Sequence, residues 1–250
     1  RFFLEIITRN DALKNRAPLF VDGYTHSNST ESFYLTRYFG QLPINVDPEQ
    51  EIDSGKKINA QAYYVEQPPF STVPAHYHDT NQFQIFFNGN ITFGKKEIKS
   101  VALHYAGGHT PYGPIITKNK KADYLTLRNN WDSGGKKMPE MKKNLLNAPR
   151  IFYLIENIDC SQPKNIIPRR FVENYLIWDK FSTLGAKTIS FVGDLSPNLN
   201  FPTQGFGKYC IVIDGEISIN NTLLTSKSCI YIKPNEEVIC LIFPIVFCLI

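Results

Sequence analysis

The sequence predicts an all-β protein, and three observations carry that prediction. Short runs rich in Ile, Val, Thr, Phe and Tyr recur from residue 58 onward, broken by Gly, Asn, Asp and Pro. No segment between them sustains a helical period over several turns. The composition supplies both parts of such a fold, with 18 Phe and 13 Tyr for strands and 16 Pro and 15 Gly for turns. At 250 residues and 42% hydrophobic content, the chain can form one large domain or two of ordinary size. That much apolar material argues against disorder.

The elements follow in order. Residues 10–16 read as a short helix capped by Asn10 or Asp11. Residues 29–39 suit a helix start or a strand equally, and His26 sits in what reads as an exposed loop. Residues 47–57 are polar and turn-like. Strands are expected at 58–66, 73–78, 82–87, 90–93, 98–105, 115–117 and 122–128, with Asn88-Gly89 as a turn dipeptide. Residues 138–146 read as one helical stretch, and 151–155 as a strand. The second half repeats the texture, with strands expected at 187–192, 209–213, 216–219, 228–232 and 238–243. Asp214-Gly215 and Asn220-Asn221 read as hairpin turns. This layout divides the chain into an N-terminal arm with edge strands (1–57), a first barrel (58–145), a linker (146–165) and a second barrel (166–250).

Charge and cysteine content narrow the function classes. The first 150 residues hold 19 Lys or Arg against 14 Asp or Glu, and the last 100 hold 8 against 9. Most of the basic surplus lies in 118–150, which reads as a solvated loop and carries no nucleic-acid module signature. The five cysteines (Cys160, Cys210, Cys229, Cys240 and Cys248) have no C-x-x-C spacing. Reduced, buried thiols in a cytoplasmic protein are expected, with a disulfide pair as the alternative. The apolar run 238–250 is 13 residues long and holds Pro244, too short for the ~20 residues of a spanning helix. It reads as a buried terminal strand, so no membrane partner is expected. Exposed strand edges make a homodimer the expected assembly. No P-loop, dinucleotide fingerprint or nucleophile elbow occurs. Every cysteine lies in the half without histidine, which argues against a Cys/His nucleophile pair.

The chemistry-bearing stretch is 73–90. His76 and His78 are separated by one residue, so on a strand both imidazoles share one face. Two imidazoles with a nearby oxygen donor are the minimum of a transition-metal site. The spacing His76-x-His78-x3-Gln82-x6-Gly89 resembles the first motif of the cupin superfamily, G-x5-H-x-H-x3-4-E-x6-G. It departs from that motif at Phe70, in place of the first Gly, and at Gln82, in place of Glu. The second motif, G-x5-P-x-G-x2-H-x3-N, is matched at Pro111 and Gly113, but Ile116 stands at its histidine position.

The resemblance implies two cupin-type jelly-roll barrels in tandem. It implies one divalent metal (Fe, Mn, Ni or Zn) in the first, held by His76, His78 and Gln82, with His104 as a fourth ligand. His104 is preferred over His109 because a strand fixes a side chain more firmly than a glycine loop. Tyr105 and Tyr112 are the candidate acids, and Gln84 and His109 the candidate pocket lining. All five histidines precede residue 110, so the second barrel has none with which to bind metal. Two functions follow: a metal-dependent dioxygenase or isomerase acting on a small molecule, or a non-catalytic cupin that binds a small ligand or serves as structure.

Overall fold

The computed structural model describes residues 4–20, 25–26, 31–41, 60–88, 90–99, 101–160, 171–179, 184–191, 207–219, 221–234 and 246–249. The chain divides into two compact units, one of residues 14–158 and one of residues 1–13 with 159–250.

The chain begins in the second of these units with β1 (Leu4–Ile7) and helix α1 (Arg9–Leu13). It then enters the larger unit through β2 (Arg16–Leu19), β3 (Thr25–His26), β4 (Phe33–Phe39) and β5 (Gln61–Gln67). Next come β6 (Ser71–Val73), β7 (His76–Tyr77), β8 (Gln82–Asn88), β9 (Ile91–Phe93) and β10 (Lys96–Ile98). The unit closes with β11 (Ala102–Ala106), β12 (Ile115–Thr117), β13 (Ala122–Arg128), β14 (Lys136–Lys137) and β15 (Phe152–Ile155). These strands form a seven-stranded sheet in the order β15-β11-β8-β13-β5-β4-β2 and a five-stranded sheet in the order β10-β9-β12-β6-β3. A short β14-β7 ladder lies beside them. The pairs within each ladder are antiparallel. Apolar side chains from both sheets make one core, including Phe33 and Leu35 from β4, Phe86 from β8 and Ile91 and Phe93 from β9.

The other unit continues with β16 (Phe171–Asp179), β17 (Leu184–Phe191), β18 (Lys208–Val212), β19 (Glu216–Ile219) and β20 (Thr222–Thr225). It ends with β21 (Cys229–Ile232) and β22 (Val246–Leu249). Its main sheet runs β1-β21-β18-β22-β17-β16, and β19 and β20 form a separate hairpin. The first strand of the chain thus pairs with β21, far away in sequence. β22 is interior in its sheet, between β18 and β17, where a continuous apolar run is expected.

Several elements differ from the sequence reading, each for a local reason. The 73–78 strand is broken because Pro74 has no N–H to give a ladder, so β6 ends at Val73 and β7 starts at His76. The 98–105 strand is two strands, β10 and β11. The 138–146 helix reduces to a 3₁₀ turn at Lys142–Asn144 with no buried residue, since it has no apolar face to pack. Helix α1 is capped by Thr8, whose Oγ1 accepts the Asp11 N–H at 3.0 Å, rather than by Asn10 or Asp11. Residues 33–39 resolve as a strand, and His26 lies in β3, not in a loop. Asp214-Gly215 turns a corner between β18 and β19, which lie in different sheets, instead of making a hairpin. β16 was not anticipated, because Glu173 and Asn174 interrupt its apolar pattern.

Stretches read as arm and linker also supply sheet strands: β2 and β4 join the seven-stranded sheet, and β15 forms its edge. Gly89 and the expected strand at 238–243 lie outside the described residues. Among the described cysteines, Cys160, Cys210 and Cys229 are free thiols, the last two buried. No helix among the described residues is long and apolar enough to cross a membrane.

Candidate functional site

Register turns the inner face of the seven-stranded sheet into three layers. Thr126 of β13 faces Tyr63 of β5 on one side and Gln84 of β8 on the other, and Gln84 faces His104 of β11. This polar row, Tyr63–Thr126–Gln84–His104, crosses four strands. One layer to one side, Tyr124 lies between Val65 and Phe86, and the face is apolar. One layer to the other side, Arg128 pairs with Gln61 and its guanidinium bonds Gln82. The interior therefore grades from apolar to polar along β13.

Opposite the sheet, β7 and the 111–114 loop bring in His76, His78 and Tyr112, joined by an isolated His76–Tyr112 bridge. As the spacing predicts, the two imidazoles share the interior side, with ring centroids 5.1 Å apart. Gly135 makes room for His76: a Cβ there would lie 3.0 Å from its ring. The cavity so enclosed has a volume of about 260 Å³. His76, His78, Tyr112, Gln84, Thr126 and Tyr63 line its polar wall, and Leu35, Val65, Val73 and Ile115 its apolar wall.

Hydrogen-bond partners fix the tautomers. The Pro74 carbonyl can only accept, so His76 Nδ1 donates to it at 2.6 Å and Nε2 keeps its lone pair. The Tyr112 hydroxyl, 2.8 Å away, donates to that lone pair, and its oxygen accepts the Gln82 amide N–H. His78 Nδ1 donates to Asp132 at 2.6 Å. His104 Nδ1 donates to Gln84 Oε1 at 2.9 Å, which leaves its buried Nε2 with no hydrogen-bond partner among the described residues. Burial favours the neutral form of all three, with pKa values of about 4 for His76 and about 3 for His78 and His104.

The centre of the polar layer is Arg128, which is 1% exposed. Its Nη1 donates to Gln61 Oε1 at 2.5 Å and its Nη2 to Gln82 Oε1 at 2.9 Å. Nη2 also lies against the His78 ring, 3.1 Å from Nδ1 and 3.2 Å from Nε2, the ring nitrogen that keeps a lone pair. Asp132 supplies the nearby negative charge. Its Oδ1 accepts from His78 Nδ1 and from the Gly134 N–H at 2.8 Å. Its Oδ2 accepts from the Asp79 N–H at 3.0 Å and from Thr80. Burial alone would raise the Asp132 pKa, but the His78 bond and the charges of Arg128 and Lys136 outweigh it and hold the carboxyl below its ordinary range.

His76, His78, Gln82, Gln84, His104 and Tyr112 thus meet in one interior, as their positions suggested. His104 stands behind Tyr112, at a centroid distance of 4.6 Å, and does not line the cavity. Tyr105 faces the other side of the sheet against Phe83 and Tyr153, because the period that turns His104 inward turns its neighbour outward. Burial pushes its phenol up to about 12. His109 packs beside Tyr77 in the loop after β11, outside the cavity.

Arg128, Asp132, Tyr63 and Thr126 were missed. β13 is buried along its whole length, so its inward and outward residues look alike in sequence. The signal available was the alternation Tyr124, Thr126, Arg128, which ends in a charge inside an apolar strand. Phe70 explains one departure from the cupin motif: its φ is +53°, so the backbone keeps a conformation usually left to Gly.

Whether a metal fits can be judged from the donors. Three neutral imidazoles with free-pointing Nε2 lone pairs suit a transition ion, but two of those lone pairs are engaged, His76 by Tyr112 and His78 by Arg128. Gln82 Oε1 is engaged by Arg128 as well. A dication about 4 Å from the guanidinium would be repelled by about 8 kcal/mol at an effective dielectric of about 20. No group of three or more His, Cys, Asp or Glu among the described residues is arranged to hold a metal. The donor set as arranged does not fit the ion.

Two jelly-roll barrels in one chain, the larger with inward histidines, give the tandem cupin fold. Solved structures of similar fold include a candidate dioxygenase from Nostoc punctiforme, with a TM-score of 0.62 at 10% identity, covering 98% of this chain and 81% of that one. A candidate glyoxylate-induced protein from Pseudomonas aeruginosa has a TM-score of 0.55 at 10% identity, covering 93% and 88%. A bacterial pirin from Escherichia coli, in complex with nickel(II), has a TM-score of 0.51 at 8% identity, covering 99% of both. At such identities the likeness is one of fold. No protein-family model matches the chain, and no curated protein matches it.

Proposed function

We propose that the larger barrel binds a small organic molecule in the cavity between β7 and the seven-stranded sheet. The observation that carries this reading is the two-sided wall: apolar Leu35, Val65, Val73 and Ile115 face a hydrogen-bonding set centred on Tyr112. Such a site takes a ligand with an apolar body and one polar end. Tyr112 would meet the polar end, its hydroxyl being oriented by His76 and Gln82. Calorimetric titration with benzyl alcohol, phenol and cyclohexanol, each an apolar body with one hydroxyl that can donate to the Tyr112 oxygen, tests this. Tyr112→Phe should weaken binding about tenfold, the loss of one hydrogen bond. Val73→Trp, filling the apolar side, should abolish it. Equal heats in the folded variants and the wild type would overturn the reading.

A metal-dependent dioxygenase or isomerase is the second reading. It is favoured by the adjacent, neutral His76 and His78 and by the nickel complex of the similarly folded pirin. It requires Arg128 to release His78 and Gln82. Elemental analysis of protein purified without a metal-affinity step separates the two. About one equivalent of metal, lost in His76→Ala, would favour the second.

A further inference from the structure

We infer that the Arg128 guanidinium stands where a metal ion would stand between His78 and Gln82, as the barrel's resident cation. The inference concerns the polar end of the cavity just proposed as a binding site, and it is tested by a different measurement.

Arg128 reaches both residues that the cupin-like spacing marks as ligands. Nη2 is 2.9 Å from Gln82 Oε1 and 3.2 Å from His78 Nε2, and Nε is 3.2 Å from Gln82 Oε1. These two atoms are the lone-pair donors a metal would use. The guanidinium is planar, permanently charged and able to donate in several directions at once, so one group satisfies both. It is buried and anchored from behind by Gln61. The negative charge that a dication would need is present too: Asp132 Oδ1 accepts from His78 Nδ1, and Arg128 Nη2 lies beside the same ring, 3.1 Å from Nδ1 and 3.2 Å from Nε2.

This arrangement accounts for Gln82 in place of the motif's Glu. Tyr112 already donates its proton to His76, so towards Gln82 its oxygen can only accept. Arg128 Nε and Nη2 both donate towards the same residue. A side-chain amide serves both, its Nε2 donating to Tyr112 and its Oε1 accepting from Arg128. An ionised carboxylate can only accept and would leave the Tyr112 oxygen without that bond. Gln82 and Arg128 are thus a matched pair, and through Gln82 the arginine acts as a positioning residue for Tyr112.

Cobalt(II) is the probe, because its visible absorption reports nitrogen and oxygen ligation directly. Wild-type protein and Arg128→Lys, which keeps a cation in place, should show no ligand-field band on titration. Arg128→Leu removes the charge and frees His78 and Gln82. It should bind Co(II) at least about tenfold more tightly than wild type, and the gain should vanish in Arg128→Leu/His78→Ala. Equal Co(II) affinity in wild type and a folded Arg128→Leu would overturn the inference, as would no gain in that variant. If Arg128→Leu does not fold, the wild type decides. A Co(II) band that His78→Ala abolishes overturns the inference, and its absence from folded wild type at millimolar Co(II) upholds it. Ligand heats are read separately, so failure of the cavity proposal leaves this outcome intact.

Discussion

Replacing Asp132 by Ala removes the anion on which the polar layer depends, and the size of the effect follows from its bonds. The carboxylate is buried and accepts from His78 Nδ1 and from the backbone N–H groups of Gly134, Asp79 and Thr80. A buried donor left without its acceptor costs about 1–3 kcal/mol. Breaking one partner out of a buried charged set costs about 3–5 kcal/mol. These terms overlap, because the same donors lose the same oxygen atoms. Asp132→Ala is therefore expected to destabilise the larger unit by about 4 kcal/mol.

Two units in one chain make global unfolding a poor measure. Trp131, next to Asp132, offers a local one. In a Trp178→Phe background it is the single tryptophan of the chain, and its fluorescence through a urea titration reports the larger unit. Arg128→Leu should recover part of the loss, because without the guanidinium the carboxylate is no longer needed as its counter-charge. The double variant should be less destabilised than the sum of the singles by about 1–3 kcal/mol. A loss below about 1 kcal/mol for Asp132→Ala, or strict additivity with Arg128→Leu, would refute the coupled-layer reasoning.

Stability should fall on acidification. His76, His78 and His104 have folded-state pKa values of about 4, 3 and 3, below the ordinary value, so between pH 6.5 and these values the unfolded chain binds protons that the folded chain does not. Each histidine then contributes a slope of up to about 1.4 kcal/mol per pH unit, with stability lost as pH drops. The lowered Asp132 pKa acts in the same direction below the unfolded carboxylate value of about 4. His104→Gln should reduce the slope measured by urea titration between pH 7 and 5 by about a third; an unchanged slope would exclude a buried neutral His104. Phe70, 47% exposed with φ of +53°, should be replaceable by Gly at a gain of about 0.5–1 kcal/mol. A loss on Phe70→Gly in the same fluorescence assay would show that its ring contributes more than its backbone costs.

Strand texture was legible because it is local. The strands at 115–117, 122–128 and 216–219 fall where alternation and turn residues put them. His76 and His78 came together for the same reason, since a period of two fixes their common face whatever surrounds them. The same rule, applied to His104 and Tyr105, would have removed Tyr105 from the candidate acids. The motif spacing led to Gln82 but could not say what the amide bonds. Where local rules met a tertiary constraint they failed, as at Pro74, which divides one expected strand, and at Asp214-Gly215, which turns a corner between sheets.

Composition and spacing, then, settled the β class, the short-strand texture of both halves and the inward pair of imidazoles. Each of these depends on neighbours within a few residues. Arg128 is 46 residues from Gln82 and 50 from His78, and Asp132 is 54 from His78. Only the register of β13 between β5 and β8 brings that guanidinium to those lone pairs. A charge at the end of an apolar strand looks like a surface residue in one dimension. Pairing across three strands encloses it, and enclosure turns it from a solvated side chain into the cation around which the polar end of the barrel is arranged.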